Sequence, residues 1–327
     1  MTTVLVLAAG PDAEREVSIE SATAVAKALR DSGRWDRIEY VEIGADEADS
    51  FDPGAHPGDV VFPVLHGLWG EGGPMQDRLE AGDRPYVGSG PGAARLAMDK
   101  VATKHLAARL GIPTPDMGVL GPLTDAPPVP LPVVLKPTHE GSSVGLHLCR
   151  TPEEWAKSAA EARADARATG RAYLIERLIQ GRELTVPLLG VAGGGAGGGA
   201  EGGLEALPVV EITPAEGVYD YEAKYRRDDT RYTVEPDLAD GLEARLHRDA
   251  VRLAEALGVR DLARVDFILP TDGPDAGVPQ LLEANTMPGF TSHSLLPKSA
   301  AHVGTDFPAL CARLVELALA RRVPQTR

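Results

Sequence analysis

Apolar positions repeat along the chain at two different periods, and the changes of period mark its elements. Val4 to Ala9 is an unbroken apolar run closed by Gly10-Pro11, and from Ser18 to Leu29 apolar residues return at helical spacing. A strand, a loop and a helix are predicted, with Ser18 as N-cap. A second apolar run, Asp59 to Leu65, ends in His66-Gly-Leu-Trp-Gly-Glu-Gly-Gly73, so another strand delivers a polar, glycine-rich loop to the same kind of sheet edge. In open parallel sheets such loops line ligand crevices. The first turn lacks the Gly-x-Gly-x-x-Gly of dinucleotide-binding folds.

Further on, Asp99 to Leu110 is helical in pattern and is stopped by Gly111-Ile-Pro-Thr-Pro115. Strands at Leu131–Pro137, Leu146–Cys149 and Ala172–Glu176 around a helix from Pro152 to Ala168 predict a small α+β unit. Strands at Glu183–Leu189, Ala206–Glu211, Arg264–Leu269 and Gln280–Asn285 then predict a mainly antiparallel sheet, covered by helices at Gly241–Leu257 and Phe307–Arg321. Gly193 to Gly203 is almost all glycine and reads as a loop without function. No solenoid repeat is present.

A length of 327 residues exceeds one ordinary core, while 43% hydrophobic and 25% charged residues are globular values. With 33 Lys and Arg against 48 Asp and Glu, the formal charge of -15 makes nucleic acid and anionic membranes poor partners and requires any phosphate chemistry to be local. The two cysteines, Cys149 and Cys311, have no metal-ligand spacing and read as buried thiols of a reducing cytoplasm. The apolar start lacks a basic region ahead of it and is read as a first strand, not a targeting signal.

Two segments carry chemistry. In Lys136-Pro-Thr-His-Glu-Gly-Ser-Ser-Val-Gly145 a lysine closing a strand precedes a turn of small residues and hydroxyls, which suits anionic oxygens; a hairpin turn with a solvated lysine is the competing reading. It is not a Gly-x-x-x-x-Gly-Lys-Ser/Thr loop. In Arg264-Val-Asp266 and Glu283-Ala-Asn285 the paired residues share a strand face, and a hairpin of suitable register makes Asp266, Glu283 and Asn285 converge. Two carboxylates and an amide oxygen suit Mg²⁺ carrying substrate phosphates, with Arg264 beside it. Together the segments point to ATP and magnesium. Tyr173 to Glu183, including Glu176 and Ile179, reads as a hinge on which an adenine could lie.

These residues stand in an ordered series that resembles the D-alanine–D-alanine ligases of the ATP-grasp superfamily. The series runs from Ala13-Glu-Arg-Glu-Val-Ser18 through His66-Gly, Gly88-Ser-Gly, Met98-Asp-Lys100, Lys136 to Gly145, Tyr219 to Tyr225 and Arg264-Val-Asp266. It closes with Glu283 to Gly289 and Thr291 to Leu295. The resemblance implies an ATP-grasp fold: an N-terminal substrate-binding unit with a doubly wound parallel sheet (1–97), a central α+β unit (98–178) and an antiparallel C-terminal catalytic unit (179–327). It implies that ATP phosphorylates one D-alanine, whose acylphosphate is attacked by the amine of a second, for peptidoglycan precursor synthesis. Lys100 and Lys136 then hold ATP phosphates, Glu176 and Ile179 receive adenine, Glu183 binds ribose and Lys224 reaches the transferring phosphoryl group. Asp266, Glu283 and Asn285 hold two Mg²⁺, with Mn²⁺ as a substitute. Glu14 anchors the first ammonium, and His66 belongs to the substrate site. Arg264 and the Gly289 N–H stabilise the oxyanion, Ser294 and Leu295 receive the second carboxylate, and Ser142 with Tyr225 closes a lid.

By the same resemblance Tyr225 favours D-alanine over D-lactate, and a cytoplasmic homodimer is implied. The sequence departs from the family at Ala9-Gly-Pro-Asp12, at Gly72, where an acidic residue is common, and at Arg177, where lysine is frequent. The alternatives are a ligase for D-alanine with D-serine or D-lactate, a ligase making a biosynthetic dipeptide, or a nucleotide-binding regulator without turnover.

Overall fold

A computed structural model describes residues 2–122, 124–141, 144–191, 203–214, 230–291 and 293–321. The chain begins with β1 (Thr3–Ala9), α1 (Arg15–Asp31), β2 (Arg37–Ile43) and β3 (Val60–Pro63), which form a parallel sheet in the order β2-β1-β3. Every residue of β1 from Val4 onward is buried, because both faces of the sheet are covered. Val4 and Val6 pack toward α1, and Leu5 and Leu7 pack toward Phe51, Met75 and Leu79. The predicted loop after β3 coils into α2 (Gly67–Glu71) and α3 (Pro74–Glu80).

The helix α1 begins before Ser18. Ser18 is fully buried inside it, and its hydroxyl accepts from the Ala9 N–H at 2.8 Å and donates to the Val64 carbonyl. It fastens the ends of β1 and β3 to the helix and is not the N-cap; Glu14 occupies that position.

Two helices follow, α4 (Pro91–Met98) and α5 (Lys100–Arg109), the latter capped by the Asp99 carboxylate, which accepts from Val101 and Ala102 N–H at 2.9 and 3.0 Å. A four-stranded antiparallel sheet is built next, in the order β4-β7-β5-β6, from β4 (Met117–Val119), β5 (Val133–Pro137), β6 (His147–Cys149) and β7 (Tyr173–Arg177). The helix α6 (Pro152–Thr169) lies on it through Trp155, Ala159 and Ala162. Its start carries a capping box of Thr151 and Glu154, and Gly170 ends it in the left-handed region.

The third sheet runs β11-β10-β8-β12-β13, with β9 also paired to β8. Its strands are β8 (Gly181–Gly190), β9 (Leu204–Ala206), β10 (Val210–Thr213), β11 (Arg231–Val234), β12 (Leu262–Pro270) and β13 (Gln280–Asn285). The expected strand over 206–211 is interrupted, because Pro208 has no N–H to donate to a ladder. One face is covered by α7 (Leu242–Leu257) through Leu246, Leu253 and Leu257, together with Ala107 of α5.

The last helices behave otherwise than expected. The helix α9 (Phe307–Ala320) packs chiefly against α1 and β3, putting Leu310, Leu314 and Val315 into the N-terminal core. It also meets the third sheet at the end of β8, where the Arg313 guanidinium donates to the Gly190 carbonyl at 2.5 Å and Leu189 joins the same apolar cluster. The helix α8 (Leu295–His302) lies between the two. Thus the chain's last helix ties its first unit to its last. Cys149 and Cys311 are buried free thiols. Among the described residues no helix is long and apolar enough to cross a membrane.

Candidate active site

The second and third sheets face each other across a cleft of ≈ 400 Å³. Lys100, Lys136 and Glu176 line it from α5, β5 and β7, Asp266 and Glu283 from β12 and β13, and Ile179 and Gln180 before β8 and Glu183 within it add to the lining. Apolar Val134, Leu148 and Leu282 lie among them, giving the mixed lining of a site that holds a flat ring and a charged tail.

Register explains the acidic wall. On β12 and β13 Asp266 is paired with Glu283 and Arg264 with Asn285, so all four lie on one face of the hairpin. The register then shifts so that Phe267 opposes Leu281, leaving Leu282 as the extra residue of a β-bulge. The bulge lets adjacent Leu282 and Glu283 both border the cleft, while Leu281 is fully buried in the core. The Arg264 guanidinium forks onto Asp266, Nε to Oδ1 and Nη2 to Oδ2 both at 2.8 Å, and the Thr185 hydroxyl donates to Oδ1 at 2.6 Å. Asn285 Oδ1 accepts from the Met287 N–H at 2.9 Å. Among the described residues no group of three His, Cys, Asp or Glu is gathered for a metal. Asp266, Glu283 and Asn285 fit a hard divalent cation by donor chemistry: two carboxylates and an amide oxygen on one strand face, with Asp266 and Glu283 bordering the cleft and Lys100 3.4 Å from Glu283.

On the basic wall, Lys100 is the first residue of α5. Its ammonium donates to the Glu140 carbonyl at 2.6 Å and stands 3.4 Å from Glu283 Oε2. Lys136 pairs with Glu176 Oε1, and Lys104, fully buried one turn along α5 from Lys100, stands 2.9 Å from Glu176 Oε2. Burial alone raises a carboxyl pKa, but the two ammonium groups outweigh it and hold Glu176 down at about 2. Burial pulls the Lys104 ammonium down against the pull of Glu176, whereas Glu176 and Glu283 keep Lys136 above the ordinary lysine value despite its burial. Lys104 has no part in the sequence reading. A lysine in a helix ordinarily signals a solvated face, and only its place four residues after Lys100 marked it as sharing that face.

A second polar cluster lies where the N-terminal unit meets this wall. Glu14 caps α1, His66 precedes α2, and both are buried. Burial lowers the pKa of His66, with Glu14 opposing, so the imidazole is neutral near pH 7. Glu71, an acidic residue whose sequence context carries no sign of burial, is also buried. Its carboxylate accepts from the Gly67 and Met287 N–H groups at 3.3 Å each and lies 4.0 Å from His66 Nδ1. Burial first, then Glu14, raises its pKa well above the ordinary value. Arg264 exerts its charge on both His66 and Glu71, so this cluster and the acidic wall are neighbours. Asp12 accepts from the Trp69 and Gly70 N–H groups at 2.9 and 3.2 Å, and burial raises it to about 6.

Close packing joins the loops. A Cβ on Gly141 would fall 2.7 Å from Glu14 Oε2, so the turn after β5 runs directly against the Glu14 carboxylate, which would have to shift to admit a larger residue there. A Cβ on Gly289 would fall 2.8 Å from the hydroxyl of Ser294, which in turn accepts from the Thr291 N–H at 2.9 Å. The Leu295 side chain is buried against Val210 and Ile212 under the third sheet, which leaves its backbone as the part that can serve a ligand. Ser142, Lys224, Tyr225 and most of the glycine-rich stretch from Gly193 lie outside the described residues.

The family profile described as D-ala D-ala ligase C-terminus matches residues 126–316. The chain is 42% identical to a D-alanine–D-alanine ligase of Bordetella pertussis over 98% of its own length and 96% of the relative's. It is 42% identical to one of Acidiphilium cryptum over 98% and 100%. Among solved structures, a crystal structure of the D-alanine–D-alanine ligase from Bacillus anthracis complexed with ATP superposes with a TM-score of 0.78 at 27% identity, covering 98% of each chain. With its three sheets, the cleft between the second and third, and these relatives spanning nearly its whole length, the chain belongs to the D-alanine–D-alanine ligase family.

Proposed function

We propose that the protein joins two D-alanines into D-alanyl-D-alanine at the expense of ATP, supplying a peptidoglycan precursor. The observation that carries this reading is the cleft that sets lysines from α5 and β5 opposite two paired carboxylates from β12 and β13. On this reading the chain has three functional units: 98–178 and 179–327 line this cleft, and 1–97 brings Glu14 and His66 to the neighbourhood of Arg264.

The residues do the following work. Ile179 and the backbone around Glu176 receive adenine, Glu183 the ribose, and Lys100 and Lys136 the phosphates. Asp266, Glu283 and Asn285 would hold two Mg²⁺, which when bound neutralise charge on the phosphates being transferred, with Mn²⁺ as a substitute. Glu14 anchors the ammonium of the first D-alanine. A carboxylate oxygen of that D-alanine attacks the γ-phosphorus, the bond to the bridging oxygen breaks, and ADP leaves; Lys224 reaches the phosphoryl group in flight. The amine of the second D-alanine, its carboxylate held at the Ser294–Leu295 turn, then attacks the acyl carbon. The Arg264 guanidinium and the Gly289 N–H stabilise the oxyanion, and phosphate departs. One such donor is worth about 3 to 4 kcal/mol of barrier. Neutral His66 borders the first substrate without adding a charge to compete with its ammonium. Ser142 and Tyr225 close over the site and keep water from the acylphosphate. A cytoplasmic homodimer completes the reading, supported by the family resemblance.

The test is ADP formation with ATP and Mg²⁺. It should require D-alanine, yield one dipeptide per ADP by mass, fail with L-alanine, and be abolished by Arg264→Ala. Mixed incubations with D-serine or D-lactate separate ligases for other pairs. ATP binding without any D-alanine-dependent turnover would mark a regulator instead.

A further inference from the structure

Glu176 is the most enclosed carboxylate of the nucleotide cleft, and it holds two lysines of unlike position. The Lys136 side chain borders the cleft and keeps 12% of its surface exposed, while that of Lys104 is wholly enclosed. The Lys104 ammonium is fixed from three elements: it donates to Thr114 Oγ1 at 2.8 Å and to the Leu281 carbonyl of β13 at 3.1 Å, and it stands 2.9 Å from Glu176 of β7. It cannot reach a ligand in the cleft without leaving all three.

Resting on the proposed placement of ATP phosphates at Lys136, we infer that Lys104 is a positioning residue that neutralises Glu176 from behind and thereby frees Lys136 to leave Glu176 for the polyphosphate. A buried carboxylate cannot be left uncompensated, since stripping one partner from a buried ion pair is strongly unfavourable. With Lys136 as its only cation, Glu176 would hold that lysine and the phosphates would have to compete for it. With Lys104 fixed behind, the carboxylate stays paired whichever way Lys136 turns. Thr114 Oγ1 also donates to the Leu281 carbonyl, at 3.0 Å, so that carbonyl keeps a partner if the Lys104 ammonium is removed.

The experiment is equilibrium ATP binding with Mg²⁺, by calorimetry, for the wild type, Lys104→Met, Glu176→Gln and the double variant. Lys104→Met should weaken ATP binding by about tenfold or more, because Glu176 then retains Lys136. Adding Glu176→Gln to it should tighten binding again by at least about fivefold, a coupling that a packing defect would not produce. A double variant as weak as Lys104→Met, or weaker, overturns the inference, as does wild-type affinity in Lys104→Met. Should Lys104→Met fail to fold, the wild-type structure with a non-hydrolysable ATP analogue decides. Lys136 on phosphate with Lys104 still within 3.5 Å of Glu176 is expected; Lys136 still on Glu176 with phosphate bound elsewhere overturns it. If wild-type protein binds no ATP, the nucleotide reading itself has failed, which is a separate outcome.

Discussion

Asp266→Asn separates a metal-holding role from a mere ion-pair role. The substitution keeps the shape of the side chain and removes one negative charge. Asp266 is held by both prongs of Arg264 at 2.8 Å and by Thr185 at 2.6 Å, with its side chain 15% exposed. Two unit charges about 4 Å apart at the effective dielectric of a partly buried site attract by about 4 kcal/mol before desolvation is subtracted. The amide keeps one acceptor for Arg264 and Thr185, so the net loss of stability should be about 1 to 2 kcal/mol, a fall of a few degrees in the thermal midpoint. Loss of a carboxylate that carries the cation removes several kcal/mol of transition-state stabilisation, so kcat should fall by about 10³-fold, with a raised Mg²⁺ requirement. The protein would be folded at 25 °C and nearly inactive. The assay is D-alanine-dependent ADP formation across a Mg²⁺ titration, beside a melting curve. If kcat stays within about tenfold of wild type at the same Mg²⁺ while the midpoint falls, Asp266 is only the partner of Arg264 and the metal reading is wrong.

Other consequences follow from particular contacts. Glu176 has its pKa depressed from 4.5 to about 2, so its contribution of about 3 kcal/mol is present above pH 4.5 and is lost as pH falls toward 2; denaturant unfolding should show wild type losing its advantage over Glu176→Gln across that window, and a constant difference would contradict it. Gly289→Ala pushes a Cβ to 2.8 Å from the Ser294 hydroxyl and should raise the KM of the second D-alanine by about tenfold with little change in melting temperature. Removal of divalent ions by EDTA should stop ADP formation, and Mg²⁺ or Mn²⁺ should restore it; turnover that survives chelation would exclude the assigned role of the acidic wall.

Much of this is legible in the chain itself. The β13 strand begins and ends where its alternation and flanking turns place it, and a shared strand face for Asp266, Glu283 and Asn285 follows from period two. The bulge at Leu282 was not legible, because an extra residue in one strand leaves no mark in the pattern of that strand alone. Local pattern also misled at Ser18, where a residue suited to capping is used inside the helix to fasten two strand ends. The apolar face of α9 was plain, but which unit it covers depends on contacts distant in sequence, and it covers the first. Lys104 and Glu71 share one reason for being missed: charged residues read as solvated unless their partners are known, and those partners are long-range.

The most direct measurement is a crystal structure with ADP, Mg²⁺ and a phosphinate mimic of the tetrahedral adduct. Nucleotide should lie between the second and third sheets, with Lys100 and Lys136 on its phosphates, Mg²⁺ on Asp266, Glu283 and Asn285, and the mimic reaching from Glu14 to the Gly289 turn. Nucleotide bound elsewhere, or metal held without Asp266 and Glu283, would contradict the assignment of this cleft.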